Sequence, residues 1–343
     1  MLTTIAPSFV DELVSTAVSK KNIYGAVLCV ESGDNSLSLL YGAGNLTTDK
    51  PYFVASVTKL YVTAVILKLR SEKCLNLQNK ISEYFSDEIL HELHLFKGID
   101  HSKDITIKHL MSNTSGIPDY FSSDVVGELT SGIDQSWGFE RTIASVKQKK
   151  PKFAPGKKAQ YSDTNYQLLG KIIETITKKD IHTVFKKFIF EKLKLEDTYL
   201  YEDVKDIRPA PIYYKDKEIS LPKYMSSIGP EGGIVSTAKE SMIFLKAFIN
   251  GHFFPKKYFN ELKDWKILIG PGLFFYGVGI ASQPISIKEL KNGLIGHWGQ
   301  TGAFSFYHPK TDLYFTGTVN QFYGHSVAAR MIVKIIKNIK ITE

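Results

Sequence analysis

Tyr52-Phe-Val-Ala-Ser-Val-Thr-Lys59 is the stretch that decides this chain: a short strand-like run, Tyr52 to Val54, passes directly into an apolar helical run that reaches about Arg70. Residues i and i+3 share a helix face, so the Ser56 hydroxyl and the Lys59 amine point into the same space one turn apart. That is the pattern of a Ser-x-x-Lys nucleophile. A serine hydroxyl needs a nearby base, and Lys59 can be one if Leu60, Val62 and Val65 withdraw it from water and the helix N-terminus adds positive potential, since both effects push an amine toward neutrality. Four residues alone also fit a serine N-cap followed by a solvated lysine.

Outward from this stretch, residues 7 to 20 place Phe9, Val10, Leu13, Val14 and Ala17 on one helix face. Tyr24 to Val30 and Ser36 to Tyr41 read as strands joined by the hairpin turn Ser32-Gly33-Asp34-Asn35. Leu75 to Tyr84 has the scattered polarity of a surface segment. Thr106 to Ser112 is a short helix stopped by Asn113-Thr114-Ser115-Gly116-Ile117-Pro118. Helical spacing returns at 165 to 177 and 181 to 193. Thr237 to Asn250 is a further helix, with a Ser236/Thr237 cap and Glu240 three residues after Thr237. Strand-like runs at 276 to 282, 303 to 308 and 313 to 319 precede a closing helix, Ser326 to Ile336. This order predicts an α+β chain: an antiparallel sheet built from both ends and flanked by N- and C-terminal helices, with a mostly helical lobe inserted between them. The boundaries fall near 1–75 and 240–343 for the α/β lobe and 76–239 for the helical lobe, one domain over 1–343.

With 343 residues, 25 glycines and 13 prolines spread along the chain and 43% hydrophobic content, the composition is that of a globular protein with a sizeable core. The longest nearly uncharged stretch, Ile267 to Ile285, is broken by four glycines and two prolines, so no transmembrane segment is expected. The N-terminus has no basic region ahead of an apolar core, so the chain as written is expected in the cytoplasm, or in the periplasm or outside the cell if a signal peptide was removed. Cys29 and Cys74 are too few for a disulfide framework and lack metal-ligand spacing. The net charge of +8 comes mostly from dispersed lysines, which argues against nucleic acid. One cluster, Lys147, Lys149, Lys150, Lys152, Lys157 and Lys158, reads as a solvated loop face or as a weak steering patch for anionic substrates. His91, His94 and His101 have irregular separations in a polar segment and read as solvated, so no metal or other cofactor is expected.

Two more stretches bear on the chemistry. Tyr161-Ser162-Asp163 precedes a helix, where loop side chains can face a cleft. Gly296-His297-Trp298-Gly299-Gln300-Thr301-Gly302 carries three glycines that let backbone approach a ligand closely. With Ser56-x-x-Lys59, the segment Ile105 to Pro118, Pro155-Gly156 leading into Tyr161 to Gly170, and Gly232-Gly233-Ile-Val-Ser-Thr237, the chain resembles the class C β-lactamase-like serine hydrolases over nearly its whole length. That superfamily includes β-lactamases, penicillin-binding proteins, D-alanyl-D-alanine peptidases, D-amino-acid peptidases and family VIII carboxylesterases. The resemblance implies the β-lactamase/transpeptidase fold, with Ser56 as acylated nucleophile, Lys59 as its base partner and Tyr161 as the proton relay. A tyrosine near an ammonium can have its pKa lowered enough to share base duty. It also implies an oxyanion hole from the backbone amides of Ser56 and Gln300, and places His297-x-Gly299 where many relatives have Lys-Thr-Gly.

The chain departs from its relatives at two places. Asp163 replaces a common asparagine and substitutes an acceptor-only carboxylate for an amide donor, which weakens binding of a substrate amide. Trp298 replaces a threonine hydroxyl, and His297 is expected to be only partly cationic near neutrality, so recognition of substrate carboxylates is weakened. Tyr120 and Phe121 are candidates for lining the acyl pocket, with core packing the alternative. The expected activity is acyl hydrolysis of an ester, a β-lactam or a D-amino-acid peptide through Ser56. A penicillin-binding sensor acylated without turnover, or a silent scaffold, is the alternative. A small molecule or peptide is the expected substrate, and the oligomeric state is not legible.

Overall fold

The computed structural model describes residues 2–268, 274–286 and 293–342. Alternate side chains of strand β1 (Gly25–Ser32) enter two different cores: Val27 and Cys29 point to one, Ala26, Leu28 and Val30 to the other. A strand covered on both faces has little need of polar residues, which is why Ala26 to Val30 is apolar throughout. Burying each large aliphatic side chain contributes roughly 1.5–3 kcal/mol.

After β1 and β2 (Ser38–Gly44) come β3 (Tyr52–Phe53), β4 (Tyr199–Leu200) and β5 (Ile234–Ser236). The C-terminal third adds β6 (Lys266–Ile267), β7 (Phe275–Tyr276), β8 (Ala281–Gln283), β9 (Leu294–Trp298), β10 (Ala303–His308) and β11 (Leu313–Thr318). The main sheet has the order β6-β7-β8-β9-β10-β11-β1-β2, every pairing antiparallel. Both ends of the chain thus contribute to one sheet. The expected strand at 276–282 is two strands, because Gly277 to Gly279 turns the chain with Gly279 at φ +78°. A small second sheet, β3-β5-β4, joins three distant parts of the chain.

Helix α1 (Pro7–Val18) covers one face of the main sheet through Val10, Leu13, Val14 and Ala17, together with the closing helix, whose Ala328, Met331, Ile332 and Ile335 join the same core. Helix α2 (Thr58–Ser71) belongs to the other core and is buried continuously from Thr58 to Leu67. Its Tyr61 stacks on Phe244 of the helix Ala238–Ile249, ring centroids 3.5 Å apart. The Thr237 hydroxyl caps that helix by accepting from the Glu240 amide, as the sequence suggests. Helix α3 (Thr164–Thr177) packs against α2, and residues 181–193 continue as a helix with a π-helical middle, Lys186–Phe190.

Two expectations of solvation give way to burial. Leu75, Leu77 and Ile81 anchor the supposed surface segment in the core, and His94 is fully buried with Nε2 3.0 Å from the Phe153 carbonyl. No helix among the described residues is long and apolar enough to cross a membrane.

Candidate active site

A one-turn helix, Ala55–Val57, joins β3 to α2 and presents Ser56 at its middle. Ala55 holds φ at +47°, a left-handed conformation that costs a non-glycine residue about 1–2 kcal/mol. This turn swings Ser56 out of line with the strand before it. Across from it, a side chain at Gly299 would collide with the carbonyl of Val54, so glycine lets the end of β9 lie against the segment just before Ser56.

Ser56 lines a cleft of about 910 Å³. Lys59 lies one turn along, completely buried, with Nζ 3.0 Å from Ser56 Oγ. The same nitrogen is 2.6 Å from Asp163 Oδ1 and 2.6 Å from the Glu231 carbonyl, and it sits 5.3 Å from the ring centroids of both Tyr161 and Tyr166. The expected apolar jacket of Leu60, Val62 and Val65 is therefore not what Nζ meets: three acceptors match the three N–H bonds of an ammonium. Asp163, expected to weaken a substrate-amide contact, is instead the counter-ion of Lys59.

Tyr161 is delivered by a loop that Asn113 pins. The Asn113 side-chain oxygen accepts from the Ser162 amide at 3.1 Å and from Asn165 Nδ2 at 2.9 Å, and its backbone carbonyl accepts from the Gln160 amide. The Tyr161 hydroxyl is buried against the cleft near Ser56 and makes no well-formed hydrogen bond among the described residues. Burial first, and the Asp163 carboxylate second, hold its pKa well above 10, with Ser56 pulling the other way. This reverses the expectation of a tyrosine tuned downward, because burial penalises the phenolate and the Asp163 charge adds to that penalty.

His297 faces the same side as Tyr161, their ring centroids 6.0 Å apart. Burial and the charge of Lys59 push its pKa down to about 3, so the partly cationic ring expected from the sequence is neutral. Trp298, next along β9, lines the cleft edge but turns its ring onto Phe304, Phe306 and His325. The amides of Ser56 and Gln300 donate to no protein acceptor among the described residues and border the cleft, as an oxyanion hole requires. Phe121 lines the cleft, whereas Tyr120 lies behind its wall: fully buried, stacked on Trp137, with its hydroxyl on Glu231 and Tyr224. The core alternative holds for Tyr120.

Sequence reasoning missed Asp119, Glu231, Tyr276 and Lys149. Asp119 accepts the Asp163 amide at 3.0 Å, and burial, then the Asp163 charge, push the carboxyls of Asp119 and Glu231 well above their ordinary range. Lys149 donates to the carbonyls of Asp119 and Tyr120 at 2.8 and 3.0 Å. Within the basic cluster it is thus a brace for the cleft wall, and none of the six lysines is among the described lining residues. Asp119 directly follows Pro118 and Glu231 directly precedes Gly232, each one residue outside a family-like stretch, and an isolated carboxyl beside an apolar Gly/Pro turn is the signal that marks both. Among the described residues no group of three or more histidine, cysteine or carboxylate side chains could hold a metal ion.

The family model described as Beta-lactamase matches residues 10–337. By sequence the chain is 30% identical over 186 residues to Protein flp of Staphylococcus aureus (strain N315), an alignment covering 52% of this chain and 35% of that protein. The chain thus spans only about a third of the length of such relatives. By structure it is similar to the D-amino acid amidase from Ochrobactrum anthropi SV3 complexed with D-phenylalanine (TM-score 0.81, 21% identity, 96% of this chain and 98% of that one). It is also similar to the octameric penicillin-binding protein homologue from Pyrococcus abyssi (TM-score 0.80, 22% identity, 97% and 78%).

Proposed function

The chain belongs to the beta-lactamase family, and on that premise we propose that it is a serine hydrolase that opens an amide or ester through an acyl-enzyme on Ser56. The observation that carries this reading is the Ser56 hydroxyl, 3.0 Å from a buried lysine at the start of a helix and facing a large cleft. Ser56 Oγ attacks the substrate carbonyl, and the amides of Ser56 and Gln300 receive the charge that develops on its oxygen. The unpartnered Tyr161 hydroxyl stands ready to give a proton to the departing group and to orient the water that releases the acyl chain.

The cleft favours some substrates by charge. Asp119, Asp163 and Glu231 line it, its histidines are held toward neutrality, and no lysine or arginine occurs among the described lining residues. With Asp119 and Glu231 held toward the protonated state and Asp163 paired with Lys59, a substrate carboxylate finds no unpaired cation among the described lining residues, so neutral acyl groups are preferred over penicillin-type acids. The apolar part of the lining, with Phe121, Met225, Ile228 and Phe322, suits a bulky hydrophobic substituent. The amidase likeness supports amides as substrates, alongside esters.

The test is a fluorophosphonate probe read by intact mass, followed by turnover of p-nitrophenyl esters, D-phenylalaninamide and nitrocefin. One adduct on the wild type, absent from Ser56→Ala, is expected, with ester or amide turnover exceeding that of nitrocefin. Labelling that survives Ser56→Ala removes the nucleophile. Faster nitrocefin turnover removes the preference.

A further inference from the structure

Lys59 donates in three directions at rest, to Asp163 Oδ1, the Glu231 carbonyl and Ser56 Oγ. An ammonium has three N–H bonds and no lone pair, so Nζ can take the Ser56 proton only by giving one up. Of its other two neighbours, the Glu231 carbonyl is a poor base and Asp163 is a carboxylate. Tyr161 offers no phenolate, since burial and the Asp163 charge keep its proton in place.

Resting on the reading of Ser56 as nucleophile, we propose that Asp163 is the terminal proton acceptor of acylation, reached through Lys59. One Nζ proton moves to Asp163 Oδ1, and the amine turns so that the lone pair left behind faces Ser56 Oγ. As Oγ bonds to the acyl carbon, its proton moves to that lone pair, and the carbonyl π pair moves onto the substrate oxygen. Lys59 ends the step as an ammonium. The net result is a negative charge transferred from Asp163 to the oxyanion beside the Ser56 and Gln300 amides. When the intermediate collapses, the oxyanion pair re-forms the carbonyl and the bond to the leaving atom breaks. Asp163 returns its proton to Lys59, Lys59 passes one to the Tyr161 oxygen, and Tyr161 gives its own to the leaving atom.

The surroundings favour this role. Asp163 repels the charged forms of Asp119 and Glu231, whose carboxyls are held toward the protonated state, so Asp163 is the carboxylate of the three that meets a cation. Lys149, Tyr120 and Tyr224 surround Asp119 and Glu231 and touch neither Asp163 oxygen. An asparagine at this position could donate or accept a hydrogen bond but could not hold the proton.

A fluorophosphonate tests this without a known substrate, because its attack by Ser56 needs the same loss of the hydroxyl proton. In Asp163→Asn the second-order rate of Ser56 labelling should fall about 100- to 1,000-fold at a temperature where circular dichroism shows the variant folded, below a melting temperature lowered by the loss of the Lys59 counter-ion. In mixtures of light and heavy water the wild-type rate should fall along a curve, because two protons change place before the acyl bond is complete, and the variant's along a straight line. Labelling of Asp163→Asn at the wild-type rate, or a straight line for the wild type, overturns the proposal. A wild type that takes no label on Ser56 overturns the nucleophile reading instead, so the two failures are distinguishable. If the variant does not fold, the wild-type isotope curve alone decides.

Discussion

The Tyr276 hydroxyl stands 3.2 Å from Nε2 of His297, while Nδ1 of the same ring is 2.6 Å from the Trp298 carbonyl. A carbonyl only accepts, so Nδ1 carries the hydrogen and Nε2 takes the Tyr276 O–H. Tyr276 in turn accepts from Tyr166, 2.9 Å away on α3. The ring is therefore locked in one neutral tautomer with both nitrogens occupied, and its contribution to the site is shape and hydrogen bonding in place of charge.

This fixes a stability term. His297 is neutral in the native protein down to about pH 3, whereas in the unfolded chain it takes a proton near its ordinary 6.5. Between those values the unfolded chain binds more protons, so stability is lost as pH falls from about 6.5 toward 3. Urea unfolding between pH 7 and pH 5 should show a smaller acid-side loss in His297→Gln than in the wild type. Activity should show no limb from this ring. A limb centred near pH 6.5 that disappears in His297→Gln would mean that the ring titrates in the native site.

Lys59 and Tyr161 should behave as one device. Lys59→Ala and Tyr161→Phe are each expected to lower ester kcat/KM by about 100- to 10,000-fold. The double variant should fall little below the worse single one, since proton transfer fails once either group is gone. A double variant that loses the product of the two single effects would show that they act independently.

Glu231 pulls stability the other way from His297. Its carboxyl, like that of Asp119, holds a proton more firmly in the native chain than in the unfolded one. As pH rises above the ordinary glutamate value of 4.5, the unfolded chain releases a proton that the native chain keeps. Stability then declines with rising pH until the raised native value is passed, by at most about 1.4 kcal/mol per pH unit for each group. Glu231→Gln should flatten this decline in urea titrations between pH 5 and pH 8. Parallel curves for variant and wild type would rule the buried acid out as the cause.

Local pattern made the Ser56 and Lys59 pairing legible, because i and i+3 on a helix meet whatever the rest of the chain does. The two-ended antiparallel sheet was equally readable from strand-like runs at both ends. What the sequence could not show was the company each group keeps. Lys59 reaches the Glu231 carbonyl across 172 residues and Tyr120 reaches Glu231 across 111, and neither separation has a periodic signature. The misjudged charges of Tyr161 and His297 share one cause: residue type gives an ordinary pKa, and burial beside Asp163 or Lys59 changes it. Tyr120 failed as a pocket residue for a related reason, since an aromatic after a Gly-Ile-Pro turn can face either side of a thin wall.

The three-stranded sheet β3-β5-β4 ties Tyr52–Phe53 to Ile234–Ser236 and Tyr199–Leu200, immediately before the nucleophile turn. The pairing of Tyr52–Phe53 with Ile234–Ser236 closes a loop well over a hundred residues long, and contacts of that separation form late in folding. A newly made chain therefore carries Ser56 and Lys59 through most of its synthesis as an ordinary alcohol and an ordinary amine. On the proposed reading of Ser56 as nucleophile, reactivity arrives only when the segments around 163, 231 and 300 have come together, which protects the half-folded chain, and whatever it meets, from premature acylation.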